Sequence, residues 1–353
     1  CWGAAGSLTG PGSPDRVTLV KRVPLLVWCV LLSWLLGPVP APAPLVYTPG
    51  EGWTYEPVGA EGRWRRARAK DQLEVAQQAF ERGDYGLALK AARRVVRQWP
   101  LSDYAPEAQF LIGRCYEARK QDERAFKEYQ RFIEKYPRAD QFEEALRRQH
   151  AIALRFLGGQ WFKLWGYIPF FPSMTKTAEM FDKVVRNGPF SPVAPEAQLN
   201  MGAAYEKGRD YDLAVKAYET AADRYFDRPS VAADALYKAG MAWLKQARTA
   251  EYDQSAAGKA IATFTDFLAL YPTDPRAVEV QQHIASLKRE QARGHFEIGR
   301  FYEKNRHWAG ALVYYNEVLL LDPTSSYAEQ ARQRIEELKP RVRPAPVTAR
   351  AQP

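Results

Sequence analysis

Apolar residues recur along most of this chain at the three- and four-residue spacing of an amphipathic helix, and charged residues fill the positions between them. The pattern predicts helices at about 65–82, 85–98, 103–118, 122–135, 139–157, 174–187, 192–207, 211–225, 230–248, 257–270, 276–304 and 308–321, taken two by two as hairpins. A last helix at about 325–338 is expected to cover the exposed apolar end. No run of alternating β-branched residues is long enough to predict a strand. One helical hairpin is too thin to bury its own apolar face, so the hairpins must lean on their neighbours. The expected fold is all-α, a right-handed solenoid of about six hairpins plus a capping helix.

A second pattern lies over the first. An alanine is followed about twelve residues later by a proline, often behind an aromatic: Ala88 to Trp99-Pro100, Ala125 to Tyr136-Pro137, Ala260 to Tyr271-Pro272 and Ala311 to Pro323. Weaker copies start at Ala178 and Ala214 and close at Pro189 and Pro229. Twelve residues before three of these alanines stands a glycine (Gly113, Gly202, Gly299), with an aromatic three residues on (Tyr116, Tyr205, Tyr302). Four residues after the alanine a ring often follows, as in Tyr129, Tyr218, Phe264 and Tyr315. The glycine or alanine lets two helix backbones approach, the aromatic one turn away is expected to fill the wedge between repeats, and the proline stops the helix. Position by position the spacing resembles the tetratricopeptide repeat.

Successive alanine markers lie 37, 53, 36, 46 and 51 residues apart, against about 34 for a plain module. Insertions are therefore expected at Gly158–Ser173, near Thr249–Gly258, and in the long helix from Pro275 to Lys304. The first is the most unusual stretch, with Trp161, Phe162, Trp165, Tyr167, Phe170 and Phe171 in sixteen residues. So much apolar surface either folds back on the solenoid as a plug or forms a docking surface for a partner or a membrane interface.

Charge changes the picture little. The net +9 is concentrated in the run Arg63, Arg65, Arg66, Arg68, Lys70 and in the tail Lys339, Arg341, Arg343, Arg350. The repeat body is close to neutral, which does not suit a nucleic-acid partner. An anionic lipid surface would attract the two basic ends. Residues 17–43 read as an export signal, with Lys21 and Arg22 before an apolar core from Val23 to Leu36 and the small residues Ala41 and Ala43 after it. Residues 1–16 are expected to be an upstream extension, residues 44–64 an extended leader, 65–338 the solenoid, and 339–353 a disordered basic tail. Cys115 is the one cysteine of the body and is expected to act as a small packing residue.

No catalytic set emerges. His150, His283, His295 and His307 are scattered, no CxxC occurs, and there is no glycine-rich phosphate loop. The expectation is a binding protein rather than an enzyme, without cofactor or metal. By analogy with tetratricopeptide geometry, the first helix of each hairpin lines a groove for an extended or helical peptide. Counting from the glycine markers, that stripe holds Gln77, Phe80, Arg114, Glu117, Ala151, Leu154, Ala203 and Glu206, with Lys70, Glu107, Arg147 and Glu196 earlier along it.

The stretch from Arg65 to Leu338 as a whole resembles the BamD (ComL/YfiO) family of outer-membrane assembly factors. The resemblance rests on the first repeat, A-Q-Q-A-F-E-R-G-D-Y-G-L-A-L, and on its end, R-V-V-R-Q-W-P-L-S-D-Y-A-P-E-A-Q. It rests also on the aromatic insertion ahead of T-A-E-M-F-D-K-V-V, and on the long helix running into H-F-E-I-G-R-F-Y-E-K-N-R-H-W-A-G-A-L. It implies a periplasmic adaptor at the inner face of the outer membrane. The C-terminal repeats, with Arg300, Glu303 and Lys304, would join a BamA-like barrel protein with POTRA domains. The N-terminal repeats would receive the C-terminal strand of unfolded barrel proteins. Family members carry a lipidated cysteine just after the signal, and no cysteine lies between Val30 and Lys70 here. A different reading of the same repeats is an exported scaffold of the CpoB type, linking cell-wall synthesis to envelope constriction.

Overall fold

The computed structural model describes residues 45–48, 52–55, 64–164, 168–249 and 254–342. The expected export signal, the tail beyond Val342 and the middle of the aromatic insertion, including Trp165 and Tyr167, lie outside the described residues. Six antiparallel hairpins follow one another: α1 (Ala69–Glu81) with α2 (Tyr85–Gln98), α3 (Ala105–Ala118) with α4 (Asp122–Lys135), and α5 (Phe142–Leu157) with α6 (Met174–Asn187). They continue as α7 (Ala194–Lys207) with α8 (Tyr211–Arg224), α9 (Pro229–Thr249) with α10 (Gln254–Leu270), and α11 (Ala277–Lys304) with α12 (Trp308–Leu321). The last helix, α13 (Ser326–Leu338), packs its buried Ala328, Ala331, Ile335 and Leu338 against the end of the stack. Each helix touches the next in chain order, and first helices of successive hairpins also meet, α1 with α3 and α7 with α9 among them. The chain is an all-α tetratricopeptide solenoid.

Local chemistry sets the ends of these helices. Asp84 starts α2 by accepting from the Leu87 amide at 2.9 Å, and Ser173 and Ser325 cap α6 and α13 in the same way. Prolines stand in the first turn of α3 and α7, where a missing N–H costs nothing. Turns inside the hairpins pass through a left-handed residue: Gly83, Lys120, Gly159, Arg209 or Arg306. Each is closed by a bond from the residue after it, as in Gln121 N to Tyr116 O and Asp210 N to Tyr205 O, both 2.9 Å. Turns between hairpins are of another kind. Each is a four-residue turn with an i+3 to i bond, for instance Ser102 N to Trp99 O at 3.1 Å and Ser191 N to Gly188 O at 3.0 Å.

The core explains the alanine and glycine markers. Ala88, Ala125, Ala178, Ala214, Ala260 and Ala311 are all fully buried. A Cβ on Gly113, Gly202 or Gly299 would stand 2.5, 2.5 or 2.7 Å from a ring carbon of Tyr129, Tyr218 or Tyr315. A Cβ on Gly240 would overlap the Phe264 ring in the same manner. The ring that fills each notch is therefore the one four residues past the alanine, on the second helix of the hairpin. Tyr116 is buried and bonds Arg93 of the preceding hairpin, whereas Tyr302 stacks on Tyr314 within its own hairpin.

Three expectations need correction. The leader forms a short hairpin, β1 (Leu45–Thr48) with β2 (Gly52–Tyr55), and the aromatic insertion forms another, β3 (Phe162–Leu164) with β4 (Ile168–Phe171). Strands of three or four residues, one containing Pro169, are too short to leave an alternating signature. The extra residues near Thr249–Gly258 largely lengthen α9 and advance α10 to Gln254. The basic tail is ordered at its start, where Lys339–Arg341 make a 3-10 turn and the Arg341 guanidinium lies 5.3 Å from the Trp308 ring.

Candidate protein-docking surface

The stripe of first helices is stitched across repeats by polar side chains. In three hairpins a glutamate four residues after the notch glycine accepts a hydrogen bond from the tyrosine that fills the notch. Tyr129 Oη donates to Glu117 at 2.8 Å, Tyr218 Oη to Glu206 at 3.0 Å and Tyr315 Oη to Glu303 at 2.7 Å. The same carboxylates take a cation from the next first helix or the cap. Arg148 reaches Glu117 at 3.1 Å, Lys245 pairs with Glu206, and Arg334 stands 3.8 Å from Glu303. Each glutamate thus locks its own hairpin and grips the next. Burial, and then the adjacent glutamate, push all three tyrosine hydroxyls well above the ordinary phenol range.

The sequence-predicted groove residues fall on this stripe, and several are occupied by one another. Gln77 donates to Glu107 at 2.6 Å, from the first hairpin to the second. The Arg114 guanidinium lies 4.5 Å from the centre of the Phe80 ring, spanning the same boundary. Glu117 is held by Tyr129, Arg148 and Arg155. Arg147 is exposed and pairs within its own helix with Glu144 at 2.8 Å, while Lys70 is exposed at the start of α1. Among the C-terminal residues, Arg300 pairs with Glu297, Glu303 is held by Tyr315 and Arg334, and Lys304 is exposed.

Spacing missed one cluster on this face. Arg155 approaches the buried carboxylate of Asp122 through Nε at 3.1 Å and Nη2 at 2.8 Å, and Gln160 donates to the same carboxylate at 2.8 Å. Helices α4 and α5 and the start of the aromatic insertion meet there. The residues are far apart in sequence and share no motif, so only the folded chain reveals them. His150, in the glycine position of the third hairpin, is buried edge-on against Phe181, and its Nε2 lies 3.3 Å from Asn200 Nδ2. Burial lowers its pKa against the opposing pull of Glu196, as a packing histidine requires. Cys115 is fully buried, and burial raises its thiol to about 11.

The aromatic insertion divides. Phe162, expected within the docking loop, is instead buried and stacked on Phe156 with ring centres 4.3 Å apart, so it anchors the hairpin to α5. Trp161 beside it stays half exposed. Phe170 and Phe171 belong to β4. Among the described residues no group of three or more histidine, cysteine or acidic side chains could hold a metal ion. No helix among them is long and apolar enough to cross a membrane.

Residues 172–331, from the end of the aromatic insertion into α13, match the family model described as YfiO, outer membrane lipoprotein. Residues 73–140, covering α1 to α4, match a tetratricopeptide-repeat model. The outer membrane protein assembly factor BamD of Caulobacter vibrioides is 26% identical over 162 residues, 46% of this chain and 53% of that protein. The chain thus spans about half the length of the curated relative it matches. Among solved structures, the C-terminal part of a tetratricopeptide protein from Cytophaga hutchinsonii aligns at a TM-score of 0.34 and 16% identity, over 75% of this chain and 87% of that one. MamA from Desulfovibrio magneticus aligns at 0.31 and 16%, over 59% and 97%. With these matches falling on the stacked hairpins just described, the chain is a tetratricopeptide-repeat protein that is similar to BamD over part of its length.

Proposed function

We propose that this protein is a periplasmic adaptor of the outer-membrane β-barrel assembly machinery, at the inner face of the outer membrane. The observation that carries the reading is the match of the outer membrane lipoprotein model to the hairpins from α6 to α13, on one unbroken stack. In this reading the C-terminal hairpins, through Arg300, Glu303 and Lys304, hold a BamA-like barrel protein with POTRA domains. The N-terminal stripe of Lys70, Gln77, Phe80, Arg114, Glu117 and Arg147 receives the C-terminal segment of an unfolded barrel protein. An extended peptide suits such a stripe because backbone groups pair with polar side chains while alternate side chains find apolar pockets. The cation on the Phe80 ring and the exposed Ala151 and Leu154 supply both kinds of contact.

Affinity purification of the full chain from detergent-solubilised envelopes tests the adaptor role. Co-purification of a barrel protein carrying POTRA domains is expected; recovery of cell-wall synthases in its place would overturn the proposal and favour a scaffold of envelope constriction. The groove is tested separately. Arg114→Glu should weaken binding of a synthetic barrel C-terminal peptide by about tenfold, about 1.4 kcal/mol, read by fluorescence anisotropy. Equal affinity would remove Arg114 from the site.

A further inference from the structure

The second helices of the hairpins differ in charge. Helices α4, α6, α8, α10 and α12 each hold at least one carboxylate, whereas α2 holds Lys90, Arg93, Arg94 and Arg97 and no acid. Lys90, Arg93 and Arg97 are exposed along one face of that helix, at three- and four-residue spacing, with Arg94 half-buried beside them. Arg93 is engaged with Tyr116 of the next hairpin. Among the described residues Lys90, Arg94 and Arg97 have no carboxylate partner, although Arg131, Arg148, Arg155 and Arg186 on later hairpins each have one.

The fold brings a further cation to this face. The buried Gln72 side chain accepts from the Arg66 amide at 2.9 Å and donates to the Trp64 carbonyl at 3.2 Å, which pins the segment before α1 to that helix. Between those two anchors, the Arg65 guanidinium lies 5.4 Å from the centre of the Trp64 ring. The Arg94 guanidinium lies 5.6 Å from the Trp99 ring, and its Nε is buried without an acceptor. Burial lowers the pKa of Arg94, and the positive charges of Arg65 and Arg97 lower it further. Arg276 and Arg334 are shifted the other way, first of all by their bonds to Asp274 and Glu337. Three guanidiniums thus converge with no carboxylate paired to any of them among the described residues.

We propose that Arg65, Arg94 and Arg97, with Lys90 one turn before Arg94, bind the phosphate groups of anionic lipids and set the outer face of α2 against a membrane surface. Unpaired guanidiniums call for an oxyanion, and phosphate matches the planar fork of arginine. Two features favour a plane of headgroups over other anions. The cations stand along an exposed helix face, which suits many ligands in one plane better than a single enclosed one. They also lie beside the basic run from Arg65 to Lys70, so they extend a surface that is already positive. The near-neutral repeat body offers a nucleic acid no track to follow beyond them. Of the four, only Arg65 belongs to that basic run; the fold places the other three next to it. Neither the groove nor the C-terminal hairpins take part, so the site stands or falls independently of the adaptor role.

The experiment places the photoreactive amino acid benzoylphenylalanine at position 90 of the full chain. Lys183, exposed on α6, serves as the control position. Each protein is mixed with vesicles of phosphatidylglycerol and phosphatidylcholine, irradiated and analysed for lipid adducts by mass spectrometry. Adducts at 90 with phosphatidylglycerol in preference to phosphatidylcholine, absent at 183 and lost in high salt, are expected. Arg94→Glu with Arg97→Glu should lower the yield at 90 by at least about tenfold. Because Arg94 is half-buried, Arg65→Gln with Arg97→Gln, both at exposed positions, is the second variant. It should lower the yield about threefold with an unchanged circular dichroism spectrum. Absence of phosphatidylglycerol adducts at 90 would overturn the proposal, as would equal labelling of the two lipids, equal labelling at 183 or an unchanged yield in both variants. Suppression by inorganic phosphate, but not by chloride at the same ionic strength, would overturn it too and assign the cluster to a soluble phosphate compound.

Discussion

The fourth and fifth hairpins solve one packing problem with different chemistry. In the fourth, the Tyr218 ring fills the notch at Gly202 and its hydroxyl is received by Glu206. In the fifth, Phe264 fills the notch at Gly240, and the position of the glutamate is held by the buried Leu244. Hydroxyl and carboxylate are present together or missing together. The steric slot is therefore the fixed requirement, and the polar pair is a matched option whose halves cannot be exchanged singly. The fourth hairpin gains a handle for Lys245 of the next first helix. The fifth has no such handle and reaches α11 through Arg276 to Asp234 at 2.9 Å and Tyr237 to Glu279 at 3.0 Å.

This comparison can be broken most forcefully at the glycines. Gly202→Leu and Gly240→Leu should each destabilise the chain by about 3 kcal/mol, because each side chain must displace a fully packed ring. Urea denaturation measures both, and a much smaller loss at Gly240 would show that the slots are not equivalent. Next in size, Leu244→Glu buries a carboxylate with no hydroxyl to receive, at a cost of about 2 kcal/mol. Adding Phe264→Tyr should return part of that loss; if the double variant is no better than the single, the pairing rule is wrong.

Glu206→Leu is the converse and should cost about 1–2 kcal/mol by leaving the Tyr218 hydroxyl buried and unpaired. Combined with Tyr218→Phe it converts the fourth hairpin to the chemistry of the fifth, and the two changes should be strongly non-additive in a double-mutant cycle. The smallest effect is one of pH. Tyr218 has a folded pKa raised above its ordinary value of 10.0, chiefly by burial and then by Glu206. The folded state therefore holds that proton more tightly than the unfolded chain does. The associated stability is complete below about pH 10 and is lost as pH rises further. Tyr218→Phe should flatten the alkaline slope of stability; an unchanged slope would mean that the hydroxyl titrates freely.

Much of this architecture was legible because it depends on local spacing. Ala88 and its five counterparts sit where only a small side chain fits between paired helices, and each proline stops a helix wherever it stands. The contacts along the first helices were less legible. Gln77, Phe80, Arg114 and Glu117 lie on first helices, but their spacing gave no sign that Gln77 is tied to Glu107 or Arg114 laid on Phe80. Those partners lie about one module apart, and a one-residue change in loop length would separate them. The Asp122, Arg155 and Gln160 cluster joins two hairpins and an insertion, with no motif to announce it.

The sequence by itself determined that this chain is a stack of helical hairpins, placed most helix ends within a few residues, and marked Gly113, Gly202 and Gly299 as points of close approach. All of these follow from backbone sterics within about forty residues. The tertiary structure alone decided which ring fills each notch, which carboxylates are engaged across repeats, and that Phe162 is an anchor while Leu101 and Phe190 stand in the open. Burial and ion pairing depend on what the next hairpin brings alongside. That is settled by the superposition of whole modules, not by the spacing within one.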